Sequence, residues 1–216
     1  MSRTLTPSEA RAFYDRFGSK QDLQRFYEDP AIEVLLSRAA FEEAVSVVEV
    51  GCGTGRLAER LLRERLPAGA TYDGFDISST MVNLAEGRLA PWDDRAHVHL
   101  TDGSPSLPLA DRSCDRFLCA YILDLLSEDD IRSVLGEARR VLVPGGRLCV
   151  VTLTHGQSLV SRIVSLAWRW AHRLNPRLVG GCRPLRLMEF AGAGWRVLHR
   201  EVVCTIGICT EVLVAS

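Results

Sequence analysis

The residues best suited to chemistry form a glycine-rich turn directly after an apolar run. Residues 45–50 are rich in valine, and Gly51, Gly53 and Gly55 follow before helix-like sequence begins at Arg56. β-Branched residues favour an extended strand, and glycine adopts the left-handed backbone that lets main-chain N–H groups approach a ligand. After Arg56, apolar residues recur at helical spacing. The sequence therefore predicts a strand, a turn that cradles a nucleotide, and a helix that begins beneath it.

The glycine spacing separates two classes of nucleotide-binding site. A dinucleotide-binding fingerprint has its third glycine three positions after the second, where helix and strand pack closest. Arg56 occupies that position here, and Glu49 stands two residues before the first glycine. The pattern resembles motif I of class I S-adenosylmethionine (SAM)-dependent methyltransferases, whose glycine loop passes under the methionine part of SAM while the acid reaches its amino group. The resemblance assigns five residues to this end of the cofactor: Glu49, Gly51, Cys52, Gly53 and Gly55.

A second carboxylate lies at the end of the next predicted strand, residues 71–76. This residue, Asp76, follows the glycine turn by about twenty residues, the distance of an acid that binds the two ribose hydroxyls. Both NAD and SAM contain such a ribose, so Asp76 does not choose between them. Ser78 predicts the N-cap of the following helix. The resemblance places Ile77 and Met81 against adenine, and core packing is an equal alternative for Met81.

A third match follows another strand-like segment, residues 96–100. In the resembled family, an acid after this strand and the neighbouring backbone N–H bind the edge of adenine, which assigns that role to Asp102 and Gly103. Asp-Gly is also common turn chemistry, so a simple loop turn is the alternative for this pair.

Two further matches complete the order in which the family carries its motifs. Residues 114–126 resemble the fourth strand and the loop leaving it, which faces the reacting methyl group and contributes Ala120 to the cofactor site. Residues 138–148 resemble the helix, Pro-Gly-Gly turn and fifth strand. Five matches in the expected order over residues 47–154 are far stronger evidence than any one of them.

Strands and helices alternate along the chain and predict a parallel sheet with right-handed crossovers. Residues 195–204 and 208–215 are joined by too little chain for a crossover helix, so they must run antiparallel. The resemblance implies that this hairpin completes the same sheet. The predicted fold class is α/β: a Rossmann-like, seven-stranded, mostly parallel sheet with a C-terminal antiparallel hairpin and helices on both faces.

The sequence predicts a single domain of four segments: N-terminal helices that form a lid over the cofactor, a SAM-binding core, a substrate-specificity insertion and the C-terminal hairpin. In chain order these are residues 1–44, 45–154, 155–192 and 193–216. Within the lid, Thr6 and Glu9 form a capping box, so a helix should run over residues 7–17 and end at Gly18. A second helical region is predicted over residues 29–44.

Methyl transfer from a sulfonium needs mainly positioning, because the positive sulfur already activates the methyl group. A general base is needed only when the acceptor must lose a proton. Candidates lie at the carboxyl ends of the strands, where open α/β sheets bind ligands. His155 is the first choice because its unperturbed pKa is near neutrality, and an exposed loop histidine is the alternative.

Three further acceptor-side candidates come from the fourth strand and the lid. Tyr121 and Asp124 follow the fourth strand, and Asp124 is equally well explained as a turn residue before a helix cap. Tyr14 resembles a tyrosine in the lid helix of the ubiquinone- and menaquinone-biosynthesis-like branch of the family. Aromatic packing of that helix against the sheet is the alternative for Tyr14.

Residues 159–174 predict a basic amphipathic helix inside the specificity insertion, with Ile163 and Trp170 in its apolar stripe and Arg169 on the other side. Such a helix most often caps its own domain, and otherwise it lies on a membrane surface. Further arginines suit an anionic acceptor, with a solvated face as the default: Arg177, Arg183 and Arg186.

Composition gives no support to several other classes. The 26 basic and 27 acidic residues give a net charge of −1, so nothing favours a nucleic-acid partner. Neither a leader nor a long apolar run is present, which predicts a cytoplasmic protein. The seven cysteines lack a C-x-x-C pair and are predicted to be reduced and mostly buried. Cysteines and histidines do not cluster, so no metal site is predicted.

Together these features predict a SAM-dependent methyltransferase that resembles the quinone-biosynthesis-like branch and acts on a small lipophilic or anionic acceptor. Two alternatives stay open. One is a non-catalytic SAM-binding partner subunit, and the other is an NAD-dependent oxidoreductase, which Arg56 disfavours.

Overall fold

One sheet organises the computed structural model, which describes residues 4–192 and 194–216. Its strands within these residues are β1 (Ser46–Val50), β2 (Thr71–Asp76), β3 (Ala96–Leu100), β4 (Cys114–Ala120), β5 (Leu142–Thr154), β6 (Val197–Thr205) and β7 (Ile208–Ala215). Their order across the sheet is β3-β2-β1-β4-β5-β7-β6. The first five strands run parallel, and β7 lies antiparallel between β5 and β6. The predicted fold class is confirmed.

Helices cover both faces of this sheet. They are α1 (Pro7–Phe17), α2 (Arg25–Arg38), α3 (Arg56–Glu64), α4 (Ser79–Leu89), α5 (Glu128–Val141), α6 (Leu159–Leu174) and α7 (Met188–Ala191). Neighbouring residues of β1 belong to different cores: Val47 clusters with Leu36 and Leu61, whereas Val48 clusters with Ile131. Because successive side chains alternate across a strand, the sheet is buried on both faces.

The first helix follows its local signals. The Thr6 hydroxyl accepts a hydrogen bond from the backbone N–H of Glu9, and the Glu9 carboxylate accepts one from the Thr6 N–H. The helix ends at Gly18, whose φ of 52° lies in the left-handed region. The predicted helix over residues 7–17 is therefore confirmed at both ends.

The second helix differs from its prediction over residues 29–44. It begins at Arg25, directly after a 3-10 turn, and it includes Pro30. It ends at Arg38, because Ala40 adopts a left-handed backbone with φ of 48° and starts a separate 3-10 turn. The helical signal was right, and both of its boundaries were wrong.

A buried arginine joins the end of α2 to the sheet. Arg116 on β4 is 5% exposed. Its Nε donates to the carbonyl oxygen of Ala39 at 2.9 Å, and its Nη2 donates to that of Ala40 at 2.6 Å. Carbonyl groups at a helix C-terminus lack intrahelical partners, and a cation beside them is favourable. Arg116 therefore anchors α2 against the sheet.

The hairpin corrects one prediction about the cysteines. Cys204 of β6 faces Cys209 of β7 across the turn, and the two form a disulfide. The turn residues Ile206 and Gly207 both have positive φ, which folds the chain back tightly enough to bring the two cysteines together. The prediction that all seven cysteines are reduced is therefore wrong for this pair. Four of the remaining cysteines are buried, and Cys182 is partly exposed.

The orientation of α6 differs from the expectation that this helix caps its own domain. It occupies the predicted residues, but its apolar stripe faces solvent, with Ile163 68% exposed and Trp170 67% exposed. A helix that capped the domain would bury this stripe. Among the described residues, no helix combines the length and apolar character needed to cross a bilayer.

We predict that Arg116→Met lowers the free energy of unfolding by about 1–3 kcal/mol for each helix carbonyl that it leaves unsatisfied. Methionine keeps most of the side-chain volume but donates no hydrogen bond. Urea unfolding followed by circular dichroism measures the change. Arg132→Met is the matched control, because Arg132 forms exposed ion pairs that are worth at most about 1 kcal/mol. Equal losses in the two variants would contradict the anchoring role.

Candidate active site

The carboxyl ends of β1, β2 and β4 meet at a glycine-rich turn. Gly51, Gly53 and Gly55 have φ values of 73°, 55° and 74°. The backbone N–H of Gly51 donates to the carbonyl oxygen of Phe75 at 2.7 Å, which ties the turn to the end of β2. A Cβ atom on Gly51 would lie 2.8 Å from Cγ1 of Ile122. The turn therefore presents bare main chain to the space beside it.

Two cavities adjoin this turn. The first, which we call the polar cavity, is lined by acids and arginines that include Glu28, Glu49 and Arg56. The second, the apolar cleft, is lined by Asp76, Ile77, Met81 and Gly103 at one end and by leucines at the other. Both are lined by Gln21, Gly51, Ala120 and Tyr121. The cleft encloses about 1230 Å³ of space, including open solvent.

Glu49 is a buried acid in the polar cavity. The Tyr72 hydroxyl donates to its Oε2 at 2.6 Å. Burial raises the pKa of Glu49 to about 7, although the hydrogen bond from Tyr72 acts in the opposite direction. A positive group placed beside Glu49 would favour its ionised form. The cavity is therefore suited to a ligand ammonium group.

Asp76 ends β2 beside the glycine turn. Its Oδ2 accepts a hydrogen bond from the Gly53 N–H at 2.9 Å, and its Oδ1 accepts one from the Ser78 N–H at 2.9 Å. Burial raises the pKa of Asp76, and these backbone donors oppose that rise. The backbone N–H of Ile77 is a third donor that lowers the pKa of this carboxyl group. A carboxylate accepts about four hydrogen bonds in all, so Asp76 keeps some acceptor capacity for a ligand hydroxyl.

The structure brings the other adenine-side candidates to the same cleft, with one exception. Ile77, Met81 and Gly103 line it. The side chain of Asp102 is exposed, and its Oδ1 accepts a hydrogen bond from the Ser104 N–H at 2.8 Å within its own turn. The carboxylate of Asp102 thus has the role of a turn residue in the structure, while Gly103 beside it faces the cleft.

The acceptor-side tyrosines lie at the cleft, and their hydroxyls are already bonded. The Tyr14 hydroxyl donates to the carbonyl oxygen of Gly180 at 3.1 Å. Tyr121 has a φ of 56°, which is rare for a residue other than glycine. Its hydroxyl donates to Thr210 Oγ1 at 3.3 Å. Burial raises the pKa of both hydroxyls, so both stay protonated near neutral pH.

Asp124 and His155 are outside the set of residues that line the cleft. Asp124 is fully buried, and its Oδ2 accepts a hydrogen bond from the Leu153 N–H at 3.3 Å. Burial raises the pKa of Asp124 to about 7. The pKa of His155 is lowered by burial and then by two nearby arginines, Arg169 and Arg186. The structure therefore places His155 beside a basic surface of the 155–192 segment.

Sequence reasoning missed a polar clamp over the glycine turn. Thr54 donates to Asp22 at 2.6 Å, and Arg88 donates to Asp22 at 2.7 Å and to Thr54 at 2.9 Å. Next to this clamp, the Oε1 atom of Gln21 is buried and has no hydrogen-bond partner in the described part of the chain. These residues come from separate elements, and no local sequence motif marks them.

Comparison with known proteins identifies the family. A family model described as a methyltransferase domain matches residues 47–146, which carry the glycine turn and Asp76. Demethylmenaquinone methyltransferase from Tropheryma whipplei is 35% identical over 132 residues, covering 61% of this chain and 50% of that protein. Over residues 47–146 this chain is therefore similar to a methyltransferase domain. The resemblance drawn from the sequence motifs is confirmed.

Other curated relatives match a longer part of this chain. Malonyl-[acyl-carrier protein] O-methyltransferase from Pectobacterium atrosepticum is 32% identical over 185 residues, covering 82% of this chain and 65% of that protein. The chain thus spans about half to two thirds of the length of these curated relatives. The crystal structure of the [4+2]-cyclase SpnF has the same fold, with a TM-score of 0.71 at 19% identity over 98% of this chain and 97% of that one.

The residues around the glycine turn fit the cofactor of these relatives' family. Gly51 and Gln21, whose Oε1 has no hydrogen-bond partner among the described residues, line both cavities, and Asp76 lines the apolar cleft. Arg56 opens α3 where a dinucleotide fingerprint has glycine, and Asp29 holds its guanidinium at 2.6 Å. SAM, rather than NAD, is therefore the cofactor.

We predict that Asp76→Ala weakens SAM binding by roughly 1–3 kcal/mol, because the ribose hydroxyls would lose a buried acceptor. Isothermal titration calorimetry measures the affinity. Asp73→Ala is the matched control on the same strand, since Asp73 pairs with His99 instead of lining either cavity. Unchanged affinity in Asp76→Ala would mean that this acid is misassigned.

We predict that the Kd for SAM falls by about fivefold between pH 6 and pH 7, because the ionised fraction of a group with a pKa near 7 rises over that range from about a tenth to a half. The pKa of Glu49 is about 7, and an ammonium group binds its ionised form. Glu49→Gln should bind SAM weakly and without this pH dependence. Glu28→Gln is the control, since the pKa of Glu28 is also about 7. A retained pH dependence in Glu49→Gln would exclude Glu49.

Proposed function

We propose that this protein transfers the methyl group of SAM to a small lipophilic acceptor bound in the apolar cleft. The observation that carries the proposal is that two unlike spaces adjoin each other. A polar cavity that suits an amino acid shares Gly51 and Tyr121 with a cleft that is lined largely by apolar side chains. The apolar lining includes leucine and isoleucine side chains: Leu5, Ile122, Leu125 and Leu126.

In this proposal, the residues around the glycine turn hold the cofactor along its whole length. Glu49 binds the amino group, and the main chain at Gly51 and Gly53 lies against the methionine part. Asp76 binds the ribose, and Ile77, Met81 and Gly103 contact adenine. SAM supplies a methyl group that its sulfonium already activates. The remaining chemistry is positional: holding an acceptor about 3 Å from the methyl carbon, in line with the breaking bond, accounts for several kcal/mol of the barrier.

The proposal assigns no proton transfer to the acceptor-side candidates. The hydroxyl of Tyr14 donates to Gly180 and that of Tyr121 donates to Thr210. Asp124 and His155 lie outside the cleft lining. These placements support an acceptor that is nucleophilic without help from a protein base, and they support positioning roles for the two tyrosines.

We also propose that α1 acts as a lid and that the 155–192 segment selects the acceptor. Arg11 of α1 donates to the carbonyl oxygens of Ile77 at 3.0 Å and Thr101 at 3.2 Å, on the rim of the cleft. Asp15 accepts a hydrogen bond from the Ser78 hydroxyl at 2.6 Å. The Tyr14 bond to Gly180 then links the lid to the 155–192 segment.

Charge favours a lipophilic acceptor over the anionic one. The arginines that suggested an anion are engaged elsewhere: Arg177 pairs with Glu9, Arg186 pairs with Glu189, and the Arg183 guanidinium donates to the carbonyl oxygen of Asp124 at 3.5 Å. None of the three lines the described cleft. The relatives' names include both types of substrate, demethylmenaquinone and a malonyl carrier protein, and these belong to those proteins.

Incubation with methyl-labelled SAM and fractionated cell extract tests the proposal. We expect label in products that partition into organic solvent. In Leu125→Glu, the acceptor KM should rise about tenfold, since a charge replaces a large apolar contact, while SAM affinity stays unchanged. Leu198→Glu, on exposed β6, is the control. Label in water-soluble products would favour the anionic acceptor. Binding of SAM without any labelled product would favour a non-catalytic SAM-binding subunit.

A further inference from the structure

The outer face of α6 is apolar along its whole length. Six large apolar side chains on this face are between 61% and 78% exposed: Leu159, Val160, Ile163, Leu166, Trp170 and Leu174. They recur at the spacing of one helical face. A soluble protein seldom exposes so many large apolar side chains together, and a contiguous patch of this kind marks an interaction surface.

Polar contacts hold the helix in this orientation. The side that faces the protein body carries Ser161, Ser165 and His172, all of them buried. Trp168 Nε1 donates to the carbonyl oxygen of Cys182 at 2.9 Å, and His172 Nε2 lies 3.2 Å from that of Gly181. If α6 were rotated so that its apolar face pointed inward, these hydrogen bonds would be lost. The outward apolar face is therefore built into the packing of α6.

The apolar face continues beyond the helix. The turn between β6 and β7 lies alongside it, because a Cβ atom on Gly207 would be 2.7 Å from Cγ2 of Val164. Ile206 at the tip of this turn is 80% exposed, and Leu178 after α6 is 67% exposed. We call the apolar face of α6 together with Ile206 and Leu178 the α6 surface.

The segment that carries this surface is rich in arginine. Residues 155–188 contain six arginines and no aspartate or glutamate, in a chain whose net charge is −1. Arg162, Arg169 and Arg173 are exposed, and at 100° per residue they fall along one border of the apolar face. An apolar strip with a cationic border is complementary to a surface that is anionic outside and apolar beneath.

We infer that the α6 surface docks onto an anionic lipid bilayer, with α6 lying in the plane of the interface. The apolar residues enter the boundary between headgroups and acyl chains, and the bordering arginines pair with lipid phosphates. A second copy of the chain is a poorer partner, because face-to-face packing would bring arginine borders of like charge together. At 16 residues the helix is about 24 Å long, which fits a helix that lies on the bilayer.

Co-sedimentation with lipid vesicles tests this inference, using phosphatidylcholine alone and phosphatidylcholine mixed with phosphatidylglycerol. We expect the intact protein to bind the mixed vesicles, to bind neutral vesicles less, and to lose binding as salt is added. Trp170→Glu should reduce binding about tenfold, since a large apolar side chain leaves the membrane. Val45→Glu is the matched control, because Val45 is 68% exposed before β1, outside the α6 surface.

Two further measurements separate the causes of binding. A triple variant that removes the bordering arginines should lose the preference for anionic vesicles. It combines Arg162→Gln, Arg169→Gln and Arg173→Gln. Trp170→Phe should abolish most of the blue shift in tryptophan fluorescence that the vesicles induce. Circular dichroism checks that each variant is folded, as expected for exposed positions.

Three results would overturn the inference. The first is that the intact protein stays in solution with the mixed vesicles at low salt. The second is equal binding by Trp170→Glu and the intact protein. The third is a concentration-dependent dimer in sedimentation velocity that Trp170→Glu abolishes without any vesicle binding, which would assign the α6 surface to a second copy of the chain. Vesicle binding requires neither SAM nor an acceptor, so it succeeds or fails independently of the proposed reaction.

Discussion

The hydrogen bond from the Gly53 N–H to the Asp76 carboxylate, 2.9 Å long, fixes the geometry on which the site depends. It joins the turn after β1 to the end of β2, and it requires the left-handed backbone of Gly53, with φ of 55°. Parallel pairing of Val50 with Phe75 brings the two ends together. The acid and the main chain of the turn are therefore held together at the apolar cleft, which both of them line.

Three buried acids in and near this site have a raised pKa. Burial raises the pKa of Glu28, Glu49 and Asp124 to about 7. Each of these acids is therefore only partly ionised near neutral pH. A cationic ligand favours the ionised form of an acid that it contacts. The protein without a ligand thus avoids the full cost of several buried anions. If Glu49 binds the ligand ammonium as proposed, binding releases a proton from this acid.

Local signals in the sequence were sufficient for most of the fold. The capping box at Thr6, the glycine turn and the short connection at Gly207 each act within a few residues, and each lies where it was predicted. The clamp of Asp22, Thr54 and Arg88 joins residues 32 to 66 positions apart, so no local pattern encodes it. Periodicity showed that α6 has an apolar face, but the direction of that face depends on tertiary contacts that sequence spacing does not contain.

The lid is fastened at several separate points. Arg11 holds the backbone beside Ile77 and Thr101, Asp15 holds Ser78, and Tyr14 holds Gly180. If α1 covers the cofactor as proposed, these hydrogen bonds must break before a molecule beneath the helix can leave. Exit from the cleft is then a step separate from methyl transfer.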